Sequence, residues 1–491
     1  MNLFDVILDD AGRHPRRLAL TGDVGPVGLR DIADRACIAS AVLAEHGVRA
    51  GDVVALALPD RPTWVAAFLG IARIGAVAAL VGEGVATDRA EGLIDRADAR
   101  LVITERDDLT ARPVLGMRDL RDSHGAPDPG TRSMASTDPM YLLATSGSTG
   151  PSKWVVHVHG DIPACVATYG RRILKMAPGD ITWSVASLAT SYGLGNSLYF
   201  PLAAGAAAWI GGDRDPASAA RACREGGVNC IYGVPTFWAR LARHVDDGRV
   251  DARDFADVRL AVSAGEHLPD AVWHAVHRAT GMRLVNGLGS SEATNLYVSD
   301  HAGAPAPGRV GWPVPGYDLR IDGDGRDVPG DEGELLVRGP TLMRGYLGDP
   351  PATARALEDG WLHTGDRVRM EPDGSYRYLG RCGDVFKVGA LWVDPLGVQG
   401  VLLADPDVHD AVVLGVDDAD GVTRLAAVVA AGTPARAEAR LMDRCRQVLE
   451  PHMVPRVIVA VDALPVAPSG KVRRDAIREM ATAALGDRSA A

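Results

Sequence analysis

At 491 residues the chain is too long for one hydrophobic core, so two or more domains are expected. Hydrophobic residues make up 47% and charged residues 23%, the balance of a soluble globular protein. A formal net charge of −11 argues against a nucleic acid or an anionic membrane as the main partner.

The first ten residues are acidic where a secretory signal would be basic. The most apolar stretch, 64–81, is broken by Arg73, Gly70 and Gly75 and reads as a buried helix and a strand, not a membrane span. A cytoplasmic protein is expected. The six cysteines form no C-x-x-C pair, which disfavours a zinc or redox motif. Only four lysines occur, Lys153, Lys175, Lys387 and Lys471. Arginine has taken most cationic positions, so a retained lysine marks a place where a compact charge on a flexible stem is wanted.

In chain order, 29–46 carries Ile32, Ala36, Ile38, Ala41 and Leu43 at helical spacing, with Gly47 as its stop. Strands are expected at 53–57 and 76–81, with a helix from about Thr63 between them. This βαβ rhythm predicts mostly parallel sheet covered by helices. It continues through a strand at 101–104 to a Gly/Pro/Ser-rich loop at 123–137. Beyond residue 160, helices are expected at 161–175, 193–204, 216–225 and 235–245. Strands are expected between and after them, at 182–186, 206–210, 230–231 and 260–263. After about residue 308, short alternating strands (318–321, 334–337, 375–379) between Gly/Pro/Asp turns predict a β-rich subdomain. A last α+β unit follows, with strands at 411–416, 425–429 and 456–461 and helices at 399–403 and 437–449. The composition shift places a domain boundary at 381–383, giving domains 1–382 and 383–491. Residues 486–491 read as a frayed tail.

The stretch Thr145, Ser146, Gly147, Ser148, Thr149, Gly150, Pro151, Ser152, Lys153 lies between two apolar runs and reads as strand, loop, strand. Small hydroxyl residues and glycines leave the backbone N–H groups free to face one anion, with Lys153 at the rim. Walker A geometry does not fit, because the lysine stands three residues past the last glycine and β-branched residues follow. Alone, the string is equally a polar surface turn.

Four further segments carry chemistry-bearing residues. Asn286-Gly287-Leu288-Gly289-Ser290-Ser291-Glu292 offers glycines for a flat ligand, a hydroxyl, and a carboxylate for Mg2+ against phosphate. The segment 360–366 ends in Asp366, able to accept hydrogen bonds from a ribose diol. Gly380-Arg381-Cys382-Gly383 pairs a cation with a flexible pivot. Ser469-Gly470-Lys471 presents a lysine near the C-terminus. Each by itself is compatible with an ordinary turn or a solvated loop.

Together, in this order, the five segments resemble the adenylate-forming enzymes, which include acyl- and aryl-CoA ligases, peptide-synthetase adenylation domains and luciferases. The resemblance runs nearly end to end. It implies an α/β fold: a large N-terminal domain of mixed sheets packed with helices, a β-rich subdomain, and a small mobile α+β C-terminal domain. It also implies ATP and Mg2+, with a carboxylate joined to AMP and pyrophosphate released. Carried over by position, Thr145 to Gly150 with Lys153 would hold the β- and γ-phosphates, Ser291 the α-phosphate and Glu292 the Mg2+. Ala264, Gly265 and Glu266 with Asn286, Gly287 and Leu288 would sandwich adenine. Asp366 would take the ribose, with Arg381 nearby, and Lys471 would reach carboxylate and α-phosphate. Gly383 would be the hinge about which the small domain turns for thioester formation.

Within the family, the segments 191–201, 232–236, 263–266 and 387–393 are similar to benzoate-type CoA ligases. That branch implies an aryl acid with CoA as co-substrate, and Tyr192, Gly193, Tyr232, Phe237, Ser263, Gly289, Ala293 and Asn295 as acid-pocket candidates. Val234-Pro235 occupies the region where amino-acid-activating relatives carry an aspartate, which disfavours an amino-acid substrate. Three departures stand out: glycine at the hinge, Gln399 where an acidic pair is usual, and Asn295 where the benzoate branch has histidine. They leave adenylation as expected and open the identity of the acceptor, which is CoA, a carrier protein or another nucleophile. A nucleotide-binding sensor without turnover is the rival from another class; retention of Lys153, Glu292 and Lys471 argues against it. A monomer or homodimer is expected.

Overall fold

A computed structural model describes residues 2–8, 12–14, 16–120, 127–145, 152–300, 305–322, 328–382, 386–388, 391–393, 395–405, 407–418, 422–466 and 472–489. The βαβ rhythm becomes two large mixed sheets. The nine-stranded sheet has a parallel centre built from Leu18–Gly22, Ala207–Ile210, Ile181–Ser184, Cys230–Gly233, Leu260–Ser263 and Leu284–Gly289. Its far side turns antiparallel through Leu296–Ser299 and Trp312–Pro313. The seven-stranded sheet runs parallel from Val114–Leu115 through Leu101–Thr104, Val53–Ala57 and Val77–Leu80 to Pro139–Ala144. It then closes antiparallel with Trp154–Val158 and the edge strand Gly345–Tyr346. Parallel strands covered on both faces need apolar runs, and Val-Ala-Ala-Leu at 77–80 is wholly buried.

The largest core lies between these sheets and includes Trp64, Phe68, Tyr141, Tyr199 and Tyr232. A second core, around Trp183, Phe237, Trp238 and Trp273, covers the opposite face of the nine-stranded sheet. Strand alternation decides which residue joins which: along Cys230–Gly233, Tyr232 enters the first core and Ile231 the second.

The β-rich subdomain is antiparallel, built on Asp318–Ile321, Glu332–Arg338, Trp361–Met370 and Tyr376–Arg381. The last unit packs the helices Pro395–Leu403, Pro434–Val448 and Arg474–Ser489 on the sheet Val408–Asp417, Thr423–Ala431 and Val457–Val461. It has its own apolar core around Val398, Leu441 and Ile458.

Three expectations are corrected. The helix expected over 161–175 is α-helical at Asp161–Cys165 and becomes a wider π-helix at Val166–Leu174. The helix expected over 193–204 starts at Ser191 and contains a π-turn at Gly195–Tyr199. The tail read as frayed from Gly486 continues a helix that reaches Ser489. Both π segments pack around Phe200: a Cβ on Gly170 would lie 2.9 Å from that ring, and one on Gly195 2.8 Å. The extra residue per turn re-aims side chains that an ordinary helix would place elsewhere.

Gly233 ends the strand carrying Tyr232, and a Cβ there would lie 2.7 Å from Phe237 Cδ1 and Trp238 Nε1. Gly233→Ala is expected to cost about 1–3 kcal/mol of stability by overpacking this face. Chemical denaturation with an unchanged slope would measure it; a neutral result would show that the second core yields there.

Candidate active site

The loop after Pro139–Ala144 is a hairpin turn, not a strand-to-helix turn. Thr145 N–H donates to the Lys153 carbonyl at 2.9 Å, and Lys153 N–H donates to Thr145 Oγ1 at 3.1 Å. Ser146 to Gly150 lie outside the described residues, but the hairpin base fixes where their loop begins and ends. Lys153 places its Nζ 4.8 Å from the centre of the Tyr346 ring.

Ser291 and Glu292 sit in a single 3-10 turn joining Leu284–Gly289 to its antiparallel neighbour Leu296–Ser299. Buried His157 holds this turn. Its Nε2 donates to the Ser291 carbonyl at 2.7 Å, while Nδ1 meets Asp161 Oδ2 at 2.8 Å and Thr294 Oγ1 at 3.1 Å. Thr294 has φ of +67°, a conformation unfavourable for a β-branched residue. Tyr141 stacks on the His157 ring at 4.9 Å. Glu292 is fixed twice: its carbonyl accepts from Met343 N–H at 2.7 Å, and its Oε1 accepts from the Tyr346 hydroxyl at 2.9 Å. Burial and the Glu292 charge push the Tyr346 phenol well up, so it remains a donor.

Among the described residues no group donates to Glu292 Oε2, and no cluster of three or more His, Cys, Asp or Glu could cage a metal. One half-shielded carboxylate with an oxygen to spare fits a Mg2+ bound mostly by substrate phosphates.

Asp366 lies opposite Arg381 in the strand pair of the β-rich subdomain. The carboxylate is 2% exposed, 3.1 Å from Arg381 Nε, and accepts from the Tyr297 hydroxyl at 3.5 Å. Burial pushes it up to about 6, against the pull of the Arg381 guanidinium. Arg381 is anchored by its donation to the Thr364 carbonyl at 2.7 Å. Glu292 acts electrostatically on both members of this pair, so the proposed ribose and metal carboxylates share one cluster.

The two segments assigned to adenine follow or occupy adjacent strands, with Ser263 opposite Asn286. Asn286 spends its side chain inward, donating to the Arg309 carbonyl and accepting from Gly287 N–H. Gly265 has φ of +92°, a glycine conformation. Ala264 is buried. Glu266 turns to the small domain, where its Oε1 accepts from Val472 N–H at 2.9 Å. Lys471 itself, like Gly383, lies outside the described residues.

Of the acid-pocket candidates, Tyr192 and Tyr232 meet edge to face at 6.1 Å, and the Tyr192 hydroxyl donates to the Val262 carbonyl at 3.2 Å. Asn295 is buried. Its Nδ2 donates to the Ser191 carbonyl at 3.4 Å and the Tyr199 hydroxyl at 3.3 Å, so it belongs to the wall that carries Tyr192. A Cβ on Gly193 would lie 2.0 Å from the Ser187 carbonyl oxygen, and one on Gly289 2.3 Å from that of Asn295. Both glycines are packing requirements. Ala293 is fully buried, its carbonyl accepting from Thr341. Phe237 does not join Tyr232: it packs in the second core against Trp183 and Trp238, on the other face of the sheet. Ser263 is the register partner of Gly233, whose face is also the Phe237 side. The aromatic that does stand beside Tyr199 and Gly195 is Phe200.

Tyr346, Tyr297, His157 and Asp161 belong to this cluster and are absent from the expected set. A lone tyrosine in a short strand has no spacing signature. His157 and Asp161 stand four apart, the only local signal, and that spacing is common.

The family profile described as "AMP-binding enzyme" matches residues 8–347, and that described as "AMP-binding enzyme C-terminal domain" matches 398–471. The chain is 30% identical over 466 residues to a 3-hydroxybenzoate–CoA ligase of Aromatoleum sp. (strain CIB), covering 89% of this chain and 88% of that one. It is 32% identical over 482 residues to a p-hydroxybenzoic acid–AMP ligase of Mycobacterium tuberculosis (strain ATCC 25618 / H37Rv), covering 96% of this chain and 67% of that one. Among solved structures, the anthranilate CoA ligase AuaEII in complex with anthranoyl-AMP superposes with a TM-score of 0.90 at 27% identity, covering 99% and 98%.

Asp366 accepts from a diol best when ionised, which requires a pH above about 6. Nucleotide KM is therefore expected to rise as pH falls through about 6, and an Asp366→Asn variant to lose that inflection. Stability moves the other way: the folded value lies above the ordinary 3.8, so ionising Asp366 between about 4 and 6 costs stability as pH rises. KM profiles of parent and variant in constant-ionic-strength buffers check this; identical inflections would exclude Asp366.

Proposed function

The chain belongs to the AMP-binding enzyme family, and from that premise we propose that it activates an aromatic carboxylic acid with ATP and passes the acyl group to CoA. In the first half-reaction a carboxylate oxygen attacks the α-phosphorus, and the bond to the β-phosphate breaks, releasing pyrophosphate. In the second, the CoA thiol gives up its proton to solvent, its sulfur bonds to the acyl carbon, and the acyl C–O bond breaks as AMP leaves with the bonding electrons. Bound Mg2+ offsets phosphate charge, and Glu292 is the side chain we assign to it.

The observation that carries the reading is the single cluster formed by Lys153, Tyr346, Glu292, Tyr297, Asp366 and Arg381, drawn from three sheets. It supplies a cation at the phosphate hairpin, a metal carboxylate and a ribose acceptor in the order a nucleotide needs. We assign Ser291 to the α-phosphate and the loop Thr145–Gly150 with Lys153 to the departing pyrophosphate. Ala264, Gly265, Asn286, Gly287 and Leu288 flank adenine in this reading. Glu266 borders the small domain instead. Lys471 bridges carboxylate and α-phosphate in this reading; its neighbour Val472 forms a β-bridge with Val466. Tyr192, Tyr232, Phe200 and Asn295 bound the aryl ring, since flat aromatic walls suit it. Domains divide at 382/383, with Gly383 as pivot.

A second reading is adenylation with transfer to a carrier protein or another nucleophile in place of CoA. The AMP ligase among the relatives favours it, as does Gln399 in the helix Pro395–Leu403 where an acidic residue is usual.

Benzoate and its hydroxy and amino derivatives, tested with ATP, are expected to give acid-dependent pyrophosphate, and a thioester by mass once CoA is added. Pyrophosphate without thioester would move the acceptor to the second reading, and no pyrophosphate with any aryl acid would defeat both. Lys471→Ala is expected to lower adenylation by roughly a hundredfold or more, as loss of a charge-stabilising group does. Thioester formation from supplied aryl-AMP should stay near parent rates. Parallel loss of both half-reactions would remove the separate role of Lys471.

A further inference from the structure

We propose that Tyr346 is a positioning residue that couples the phosphate lysine Lys153 to the cation ligand Glu292, so that ATP and Mg2+ are seated as one unit. The inference rests on the roles proposed above for those two residues. Lys153 precedes the strand Trp154–Val158 of the seven-stranded sheet, while Glu292 lies in a turn of the nine-stranded sheet. No strand pairing joins those sheets among the described residues. The segment 343–347 spans the gap. Arg344 N–H donates to the Val156 carbonyl at 2.9 Å and Leu347 N–H to that of Trp154 at 2.8 Å. On the other side, Met343 N–H donates to the Glu292 carbonyl at 2.7 Å. Tyr346 N–H is taken by Thr353 Oγ1 at 2.9 Å. Tyr346 is thus fixed by backbone bonds to both parts of the site before its side chain is considered.

The side chain then makes two different contacts. Its hydroxyl donates to Glu292 Oε1 at 2.9 Å, which fixes the carboxylate rotamer with Oε2 to spare. Its ring face carries the Lys153 ammonium at 4.8 Å, which narrows the reach of a flexible stem. The two contacts use different parts of the residue, so substitution separates them. Tyr346→Phe deletes the hydroxyl and keeps the ring; Tyr346→Leu deletes both.

ATP binding is read by calorimetry on the whole chain, with Mg2+ and with EDTA, and pyrophosphate release is read against Mg2+ concentration. For Tyr346→Phe, metal-free ATP binding is expected to stay within about twofold of the parent, while Mg·ATP binding weakens about tenfold, the effect of one hydrogen bond to a charged group. The Mg2+ needed for half-maximal pyrophosphate release should rise by a similar factor. Tyr346→Leu is expected to weaken metal-free ATP as well, by roughly two- to fivefold. Calorimetric stoichiometry reports the folded fraction of each variant. Equal weakening with and without Mg2+ in Tyr346→Phe, or no change in either, overturns the proposal. Failure of the parent to release pyrophosphate would count against adenylation, and the calorimetric comparison would still decide on Tyr346.

Discussion

His157 is the group on which the geometry of the site depends. Its ring is fully buried between the two large sheets and engages Asp161 on one side and the Ser291 carbonyl on the other. A carbonyl can only accept, so Nε2 carries a proton, and the ring is oriented by which atom needs that proton. The same imidazole meets Thr294, whose φ of +67° is sustained only because surrounding bonds over-determine it. Thr294 caps the C-terminal end of the 3-10 turn that carries Ser291 and Glu292. Removing one member of this buried hydrogen-bonded network leaves its partners desolvated and unpaired, a cost of about 1–3 kcal/mol, so the network is held as a unit.

From that anchor the charge pattern follows. Two carboxylates, Glu292 and Asp366, sit close enough to influence the same arginine. Neither is poised to repel a polyphosphate outright. Tyr346 donates to one, and Tyr297 and Arg381 engage the other. Positive charge is supplied from the rim by Lys153 on a hairpin. In the proposed reading, sugar and metal are met by Asp366 on a strand and by Glu292 in a turn held by His157, and phosphate is met by a small-residue loop. Rigid strands suit groups that must hold a fixed distance, and a loop suits a group that must leave.

Much of the fold was legible in the sequence because its signals are local. Apolar runs at 53–57, 76–81 and 101–104 needed only their length and composition to be read as strands of a covered parallel sheet. That Glu292, Asp366 and Arg381 belong together was legible because glycines and charges mark their segments in order, and the structure brings the three into one cluster. What stayed hidden depends on contacts between distant segments. Phe237 was expected at the acid pocket as one of its aromatic walls. Strand alternation and the start of the helix Pro235–Asp246 carry it into the other core. Phe200, not Phe237, packs beside Tyr199 and Gly195, at the end of a π-turn that no spacing rule foresees. Tyr346 was silent because a two-residue edge strand has no period to read.

Glu266 shows the same limit from the other direction. Its motif placed it beside the nucleotide, and its neighbours Ala264 and Gly265 do follow the strand Leu260–Ser263. Its carboxylate, however, accepts from Val472 N–H in the small domain. Across that contact lies Asp410, which burial and then the Glu266 charge push up to about 7, with Arg243 pulling the other way. A backbone donor thus engages Glu266 where the two domains meet. The donor, Val472, is the residue that follows Lys471 in the chain. The segment 264–266 therefore faces two ways: its small residues, which we assign to adenine, follow the strand Leu260–Ser263, and its one charged residue meets the small domain.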